Sequence, residues 1–337
     1  MKAKKYTYFI GVDISARELD WAVSSGKDHL FHRKTENSAE AVNIMLAELK
    51  KIPGLMLSRT VFCMEHTGIY GNHLCAALQR CRANFAVESA THIQNAIGNP
   101  RGKTDKMDAM RIADYAYRNR EHLRFWAPKR LVVQQLGQLN ALRKRLQGIQ
   151  HILKVSLKQQ QGFMAEGQIR QHSGLCSQTI GALDQDVAEI NGLIEKTIAG
   201  DESLSRLMKV ITSVSCIGPV TALNIILCTN EFKDFNSPRK FACYAGIAPF
   251  LKESGPQKGK ARVSPMANKY MKSLLHICAV RAKINVPELK AFYERKVNAE
   301  KKHKMSVLNA IRYKLVLRVF SCVKQDRLYE SRYQRPG

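Results

Sequence analysis

Four acidic residues are placed where they could do chemistry together. Asp13 closes the run Ile10-Gly11-Val12-Asp13-Ile14 and Glu65 closes Phe62-Cys63-Met64-Glu65. Both runs have the β-branched and aromatic make-up of strands, and a carboxylate at a strand end is handed to the cleft beside the sheet. Asp105 and Asp108 lie three apart at the start of a helical pattern, so both project from one face and both meet the favourable field of a helix N-terminus. Carboxylate oxygens are the ligands Mg2+ prefers, and four such groups could hold two ions, with Mn2+ as a substitute. The chemistry they would support is metal-assisted attack on a phosphodiester. Singly, each acid has an ordinary use: a turn residue for Asp13, a strand-end charge for Glu65, a helix cap for Asp105. Only their joint placement makes a site.

The elements that must position them are legible from pattern. Tyr6 to Ile14, Leu19 to Ser25 and His29 to Lys34 read as three antiparallel strands with turn signals between them. Ser38 caps a helix with apolar positions at Val42, Leu46 and Leu49, and Arg59 to Met64 is a buried strand after the Pro53-Gly54 break. A helix from Tyr70 to Arg82, a strand from Asn84 to Ser89 and a helix from Thr104 to Arg120 complete the order βββαβαβα. That order predicts a mixed sheet with helices on its faces, and it resembles the layout of the RNase H-like nucleases.

From Leu131 the rhythm changes. Val132, Leu136, Leu139, Leu142, Leu146, Ile149, Leu153 and Leu157 recur at three- and four-residue steps, which predicts a long amphipathic helix with a narrow seam. A Gly-, Ser- and Gln-rich break from Gln159 to Gln178 follows, and Leu183, Val187, Ile190, Ile194 and Ile198 then resume the pattern, so the expectation is an antiparallel coiled-coil hairpin. Beyond it, Cys216-Ile217-Gly218-Pro219 has the shape of a helix-hairpin-helix turn offering N–H groups to phosphate. Pro238 to Tyr244, Asn268 to Lys283 and Met305 to Lys324 read as helices, with an irregular basic loop from Phe250 to Pro265. The expected division is an α/β domain over 1–128, a helical hairpin over 129–200 and a basic, mostly helical domain over 201–337.

Charge points to the partner. The formal net charge is +26, and residues 251–337 alone hold 21 basic against 6 acidic side chains. That concentration favours a polyanion bound in a salt-sensitive way, nucleic acid first. The nine cysteines show no C-x-x-C pair and are expected as reduced thiols. With no apolar run of the roughly 18 residues a membrane span needs, a cytoplasmic, nucleoid-associated protein without membrane contact is expected. Gly98-Asn99-Pro100-Arg101-Gly102-Lys103-Thr104 is one residue short of a phosphate-binding P-loop between its glycines, which argues against an ATP site.

Four blocks together resemble the insertion-sequence transposases of the IS110 family, relatives of the Piv DNA invertase. They are Gly11-Val12-Asp13; Glu65-His66-Thr67-Gly68-Ile69-Tyr70; Lys103-Thr104-Asp105-Lys106-Met107-Asp108-Ala109; and Phe241-Ala242-Cys243-Tyr244-Ala245-Gly246-Ile247-Ala248-Pro249, followed by Ser254-Gly255. The resemblance covers nearly the whole chain. It implies a RuvC-like domain with a metal site built from Asp13, Glu65, Asp105 and Asp108, a coiled-coil connection, and a transposase domain whose Ser254 is the nucleophile. It also implies a bridge RNA that pairs with donor and target DNA, and dimers to tetramers in which the serine of one subunit meets the metal site of another. The turn Ser215-Cys216-Ile217-Gly218 departs from the family's usual Pro-Gly-Ile-Gly type, and the Asn-Pro often found after the strand at Asn84 to Ser89 is missing.

On this reading Ser254 attacks DNA covalently and conserves the energy of the broken bond, so no ATP is needed. Arg239, Lys240, Lys252, Lys258, Lys260, Arg262 and Lys269 surround the serine in sequence and would hold phosphates without reading bases. Ser264 lies close enough to be a rival nucleophile, and the family register selects Ser254. Two other readings use the same residues differently. A hydrolytic nuclease or junction resolvase would need the acids but not Ser254, and a non-catalytic nucleic-acid scaffold would bind indifferently to Mg2+.

Overall fold

The computed structural model describes residues 6–97, 104–250, 253–254, 257–258, 262–264 and 266–331. The chain divides into two compact units, Met1–Pro128 and Lys129–Gly337.

In the first unit β1 (Tyr8–Ile14), β2 (Glu18–Ser25) and β3 (Asp28–Glu36) run antiparallel in succession. The β2–β3 turn passes through Gly26 at φ +61°, a left-handed conformation that glycine adopts without a Cβ clash. Helix α1 (Ala39–Leu49) starts at Ser38, whose hydroxyl accepts the Ala41 N–H. Strand β4 (Thr60–Glu65) pairs parallel to β1, and after α2 (Asn72–Arg80) β5 (Asn84–Glu88) pairs parallel to β4, giving the order β3-β2-β1-β4-β5.

Alternation along the strands sorts side chains to the two faces of the sheet. Ile10, Val12, Leu19, Trp21, Phe62 and Met64 pack with Val42 and Leu46 of α1 and Leu74 and Leu78 of α2. Phe9, Val61, Cys63 and Ala86 meet Ile112 and Ala116 of α4 (Asp105–Arg118) on the other face. A further helix, α3 (Ala90–Ile97), precedes α4. Among its described side chains only Ile93 is buried, and at eight residues it is too short for its period to stand out from the sequence.

The second unit opens with α5 (Leu131–Gln159) and α6 (Glu166–Ala199). Two expectations about this hairpin need correction. The break is only 160–165, since α6 runs through the Gly- and Gln-rich stretch; its glycines 167 and 174 face open space, and the packed half from Leu183 to Ile194 carries the helix across their poor propensity. The buried face of α5 is Val133, Leu136, Asn140 and Arg143, whereas Leu142 and Ile149 of the expected seam are exposed. The stripe rotates because α5 also packs on a helix of the following bundle, through Asn140 and Asn224.

That bundle consists of α7 (Glu202–Thr212), α8 (Pro219–Thr229), α9 (Pro238–Tyr244), α10 (Lys269–Asn285), α11 (Pro287–Glu294) and α12 (Lys304–Lys324). Short helices α7 and α11 go beyond the sequence reading. Val133, Leu136, Ile190 and Ile194 of the hairpin share one core with Ile225, Phe241, Leu275 and Leu315 of the bundle. Between α9 and α10, β6 (Pro249–Phe250) pairs antiparallel with β9 (Arg262–Val263), and β7 (Glu253–Ser254) with β8 (Gln257–Lys258). The segment read as an irregular loop therefore carries a two-stranded ribbon. Among the described residues no helix is long and apolar enough to cross a membrane, and all nine cysteines are free thiols.

Candidate active site

Residue parity puts the acids on one face. Asp13 shares its side of β1 with Phe9 and Gly11, and Glu65 shares its side of β4 with Val61 and Cys63; both belong to the face that α4 covers. At Gly11 a Cβ would lie 2.1 Å from the Ala109 carbonyl oxygen and 2.3 Å from the Ala113 nitrogen. No side chain fits there, so α4 crosses β1 backbone on backbone, with the small Ala22, Ala109 and Ala113 beside the crossing. That close approach brings the first turn of α4 to the acid-bearing end of the sheet.

The N-cap of α4 is Thr104, whose hydroxyl accepts the Met107 N–H at 3.3 Å. Asp105 is the first helical residue and not the cap, which removes the ordinary structural explanation for it and leaves its carboxylate exposed. Thr104 is also the one described residue of the rejected P-loop segment; 98–103 lie outside the described residues.

Electrostatics tie three of the four acids together. Burial, and then the charges of Asp108 and Asp105, raise the Asp13 carboxyl above its ordinary value. Such mutual repulsion is what a divalent cation relieves, so the donor set suits one. As the residues stand, basic side chains answer part of it: Arg111 reaches Asp108 at 2.7 Å, and Lys34 Nζ lies 3.9 Å from Asp105. Among the described residues no three His, Cys, Asp or Glu side chains are gathered closely enough to hold one ion.

Two acids on the same face were missed. Asp20 stands directly across from Asp13 on β2 and is 4% exposed, held by His32 Nε2 at 2.7 Å and by Lys34 Nζ at 3.8 Å. It adds to the field that raises Asp13. Glu88 stands across from Glu65 on β5, and the charges of both lift the already buried Cys63 thiol further above its ordinary range. The signal that could have found them is parity: in antiparallel and parallel neighbours alike, cross-strand partners point to the same face.

The loops behind the acids are fastened to each other. Asn37 Nδ2 donates to the Ser15 carbonyl at 2.8 Å and to the Tyr70 carbonyl at 2.9 Å, joining the turn after β1 to the turn after β4. In the block Glu65-His66-Thr67-Gly68-Ile69-Tyr70, Gly68 takes φ +67°, a turn that sends Ile69 and Tyr70 to the surface, 74% and 46% exposed.

In the second unit the block around Phe241 proves to be a foundation. Phe241, Ala242, Ala245 and Ile247 are core residues. Gly246 adopts φ +64°, and a Cβ there would lie 2.4 Å from the Ala267 Cβ. Tyr244 and Asn268 close the root of the ribbon from its two sides: the Asn268 N–H donates to the Tyr244 carbonyl at 2.8 Å, and Asn268 Nδ2 donates to the Tyr244 hydroxyl at 2.8 Å. Asn268 Oδ1 also caps α10 by accepting the Met271 N–H at 2.9 Å. Asn309 donates to the Ile247 carbonyl and is itself held by the buried Arg312.

Above this root Ser254 pairs with Gln257 at the tip of the ribbon. The backbones of Ser254, Lys258 and Arg262 are described but not their side chains, and Lys252 and Lys260 lie outside the described residues. Arg239, Lys240 and Lys269 are exposed near the ends of α9 and α10. Ser264, the rival nucleophile, accepts the Met266 N–H at 3.2 Å in a tight turn.

Residues 10–160, which hold Asp13, Glu65, Asp105 and Asp108, match a family described as "Transposase" whose profile is that of the IS110 DEDD transposases. Residues 208–294, which hold the ribbon, match the family described as "Transposase IS116/IS110/IS902 family". The chain is thus built from transposase domains. In particular, both matched segments are domains of the IS110/IS116/IS902 transposase family.

Curated relatives agree with the match. The chain is 26% identical over 145 residues to the insertion element IS110 uncharacterized 43.6 kDa protein of Streptomyces coelicolor, covering 43% of this chain and 34% of that one. It is 26% identical over 93 residues to a probable family 20 transposase of Pseudomonas aeruginosa, covering 28% and 26%. It is 24% identical over 235 residues to the pilin gene-inverting protein of Moraxella bovis, covering 69% of each chain. The chain thus spans about a third or less of the length of the first two.

Proposed function

We propose that the protein is a DNA transposase that cleaves and rejoins strands through a covalent phosphoserine intermediate. The observation that carries this reading is that Asp13 and Glu65 lie on the sheet face that α4 covers, with the first turn of α4, bearing Asp105 and Asp108, pressed toward them at Gly11, inside a domain that matches a transposase family. The strand order, three antiparallel strands followed by two parallel ones, supports an RNase H-like, RuvC-like assignment for that domain. DNA as substrate follows from the family and from the basic second unit.

Asp13, Glu65, Asp105 and Asp108 would hold the metal, two Mg2+ ions or Mn2+ in their place. When bound, these ions neutralise charge on the phosphoryl oxygens and stabilise the leaving oxygen. Ser254 Oγ would form the bond to phosphorus as the P–O3′ bond breaks, the hydroxyl proton passing to solvent while the 3′ oxygen takes one up. Rejoining reverses those changes, with the ester retaining the energy of the original linkage. Arg239, Lys240 and Lys269, with Lys252, Lys258, Lys260 and Arg262 of the ribbon segment, would position the backbone. Sequence choice would then fall to a bridge RNA, and oligomers up to tetramers would supply serine and acids from different subunits.

The test is a denaturing gel of protein incubated with duplex DNA carrying the end of its own element, with and without Mg2+. A protein–DNA adduct that needs Mg2+ and disappears in Ser254→Ala is expected. Cleavage without an adduct, undiminished in Ser254→Ala, would replace this reading with a hydrolytic nuclease.

A further inference from the structure

Among its described residues the second unit holds two neighbouring cations with no carboxylate to answer them. Arg143 is 5% exposed. Its Nη1 donates to Asn191 Oδ1 at 3.2 Å and its Nη2 to Asn140 Oδ1 at 2.7 Å, while its buried Nε has no partner. Lys144 Nζ donates to Asn224 Oδ1 at 2.8 Å and lies 3.7 Å from the ring centroid of Tyr270. Among the described residues neither meets a carboxylate. Arg130, at the start of the same helix, shows the alternative arrangement: its guanidinium is met by Asp201 and by Glu231.

Removing a cation from water is unfavourable unless an anion or a full set of acceptors replaces the lost hydration. Here three neutral amides and one aromatic face do part of that work, and the two charges repel each other. Burial pushes both groups below their ordinary values; Cys228 opposes this at Lys144 and Tyr270 at Arg143, while the Arg143 charge adds to it at Lys144. A fold that keeps two adjacent cations this way is poised for an anion from outside.

Access comes from the side of Tyr270, which is 39% exposed. Tyr270 is the second residue of α10, a helix of 17 residues without a single acid, and its neighbour Lys269 is exposed. The N-cap Asn268 is the residue that closes the root of the ribbon with Tyr244. An anion arriving over Tyr270 would therefore meet Lys144 first, with Arg143 behind it and the positive end of α10 beside it.

We propose that Lys144, Arg143 and Tyr270 form a phosphodiester-binding site on the second unit, at the root of the ribbon that carries Ser254. Lys144 makes the direct contact, and Arg143 sets the field from behind. The ligand is a backbone phosphate of nucleic acid, so the inference rests on the nucleic-acid reading of the protein. It adds a partly buried contact to the exposed basic side chains that composition suggests, of which Lys269 adjoins Tyr270.

The experiment compares the full-length protein with Lys144→Met and Lys144→Arg, measuring affinity for a fluorescent duplex DNA and for a fluorescent RNA hairpin across a salt series. Loss of one phosphate contact weakens binding about three- to tenfold at low salt and lowers the slope of log affinity against log salt by about 1. Lys144→Met is expected to show this for one of the two ligands, which identifies the backbone concerned, and Lys144→Arg to restore it. Unchanged affinity and slope with both ligands overturns the site. If Lys144→Met does not fold, amine footprinting of the wild-type protein decides: oligonucleotide protects Lys144 if the site exists, and equal labelling with and without oligonucleotide refutes it. Cleavage by Asp108→Asn is assayed separately, so failure at Lys144 leaves the acid site standing, and failure of the acid site leaves the Lys144 slope unaffected.

Discussion

The two halves of the proposed active site are held in opposite ways. In the first unit Asp13 and Glu65 belong to strands of a five-stranded sheet, and α4, which carries Asp105 and Asp108, is pressed onto that sheet at Gly11. Position there is set by strand register and by parity. In the second unit Ser254 belongs to a two-residue strand at the tip of a ribbon, and the fold invests its packing below, in Phe241, Gly246, Tyr244, Asn268 and Asn309. The difference teaches that an ion site needs fixed distances between its own members, whereas a nucleophile that reacts with DNA needs its root held and its tip available.

Each side of this comparison can be broken separately. The largest effect is expected from Gly11→Val, which forces side-chain atoms into the Ala109 and Ala113 backbone. It should cost more than about 4 kcal/mol and abolish both folding of the first unit and Mg2+-dependent cleavage, read by thermal melting and a nicking assay. Gly246→Ala comes next, with a Cβ 2.4 Å from that of Ala267 and a left-handed backbone. A loss of about 2–4 kcal/mol is expected in the second unit, together with loss of the covalent adduct, while Mg2+ still raises the melting temperature of the first unit. If Gly246→Ala removed the metal response as well, the two halves would not be separable in this way.

Asn268→Ala removes the cap of α10 and the bond to the Tyr244 hydroxyl. A loss of about 1–2 kcal/mol is expected, and adduct formation should fall more than DNA binding does.

The smallest effect concerns Asp13. A carboxyl raised by burial and by Asp108 and Asp105 keeps its proton longer in the fold than in the unfolded chain. Its contribution to stability therefore falls as pH rises between those two values, and is level above the folded one. Without divalent ions, Asp13→Asn should flatten that decline and raise the melting temperature by on the order of 1–2 °C at neutral pH. The variant should also lose the stabilisation by Mg2+ seen in the wild type. A lowered melting temperature with the Mg2+ response intact would remove Asp13 from the metal site.

Much of the first unit was legible because its strands are rich in β-branched and aromatic residues and bounded by turn signals. Asp13 and Glu65 announce themselves as strand ends, and Ser38 and Thr104 mark helix starts that the structure bears out. Asp20 and Glu88 stayed hidden because their placement beside Asp13 and Glu65 depends on which face a neighbouring strand turns, and that requires the register. The ribbon was invisible for a different reason: strands of two residues leave no periodicity to read. On α5 the periodic leucines drew attention to a seam, while the polar Asn140 and Arg143 that are buried were masked by their residue type. The motif around Phe241 was read as a marker for the serine, and its physical work as a packed root emerged only from Gly246 and Asn268.

The central claim is that the acids of the first unit and the serine of the second belong to one reaction. The most direct measurement is mass spectrometry of the peptide bearing the DNA adduct, from wild-type protein and from Asp108→Asn. A nucleotide esterified to Ser254 in the wild type, and its loss in Asp108→Asn, is predicted. An adduct on another residue, or an undiminished Ser254 adduct in Asp108→Asn, would show that the two sites do not act together.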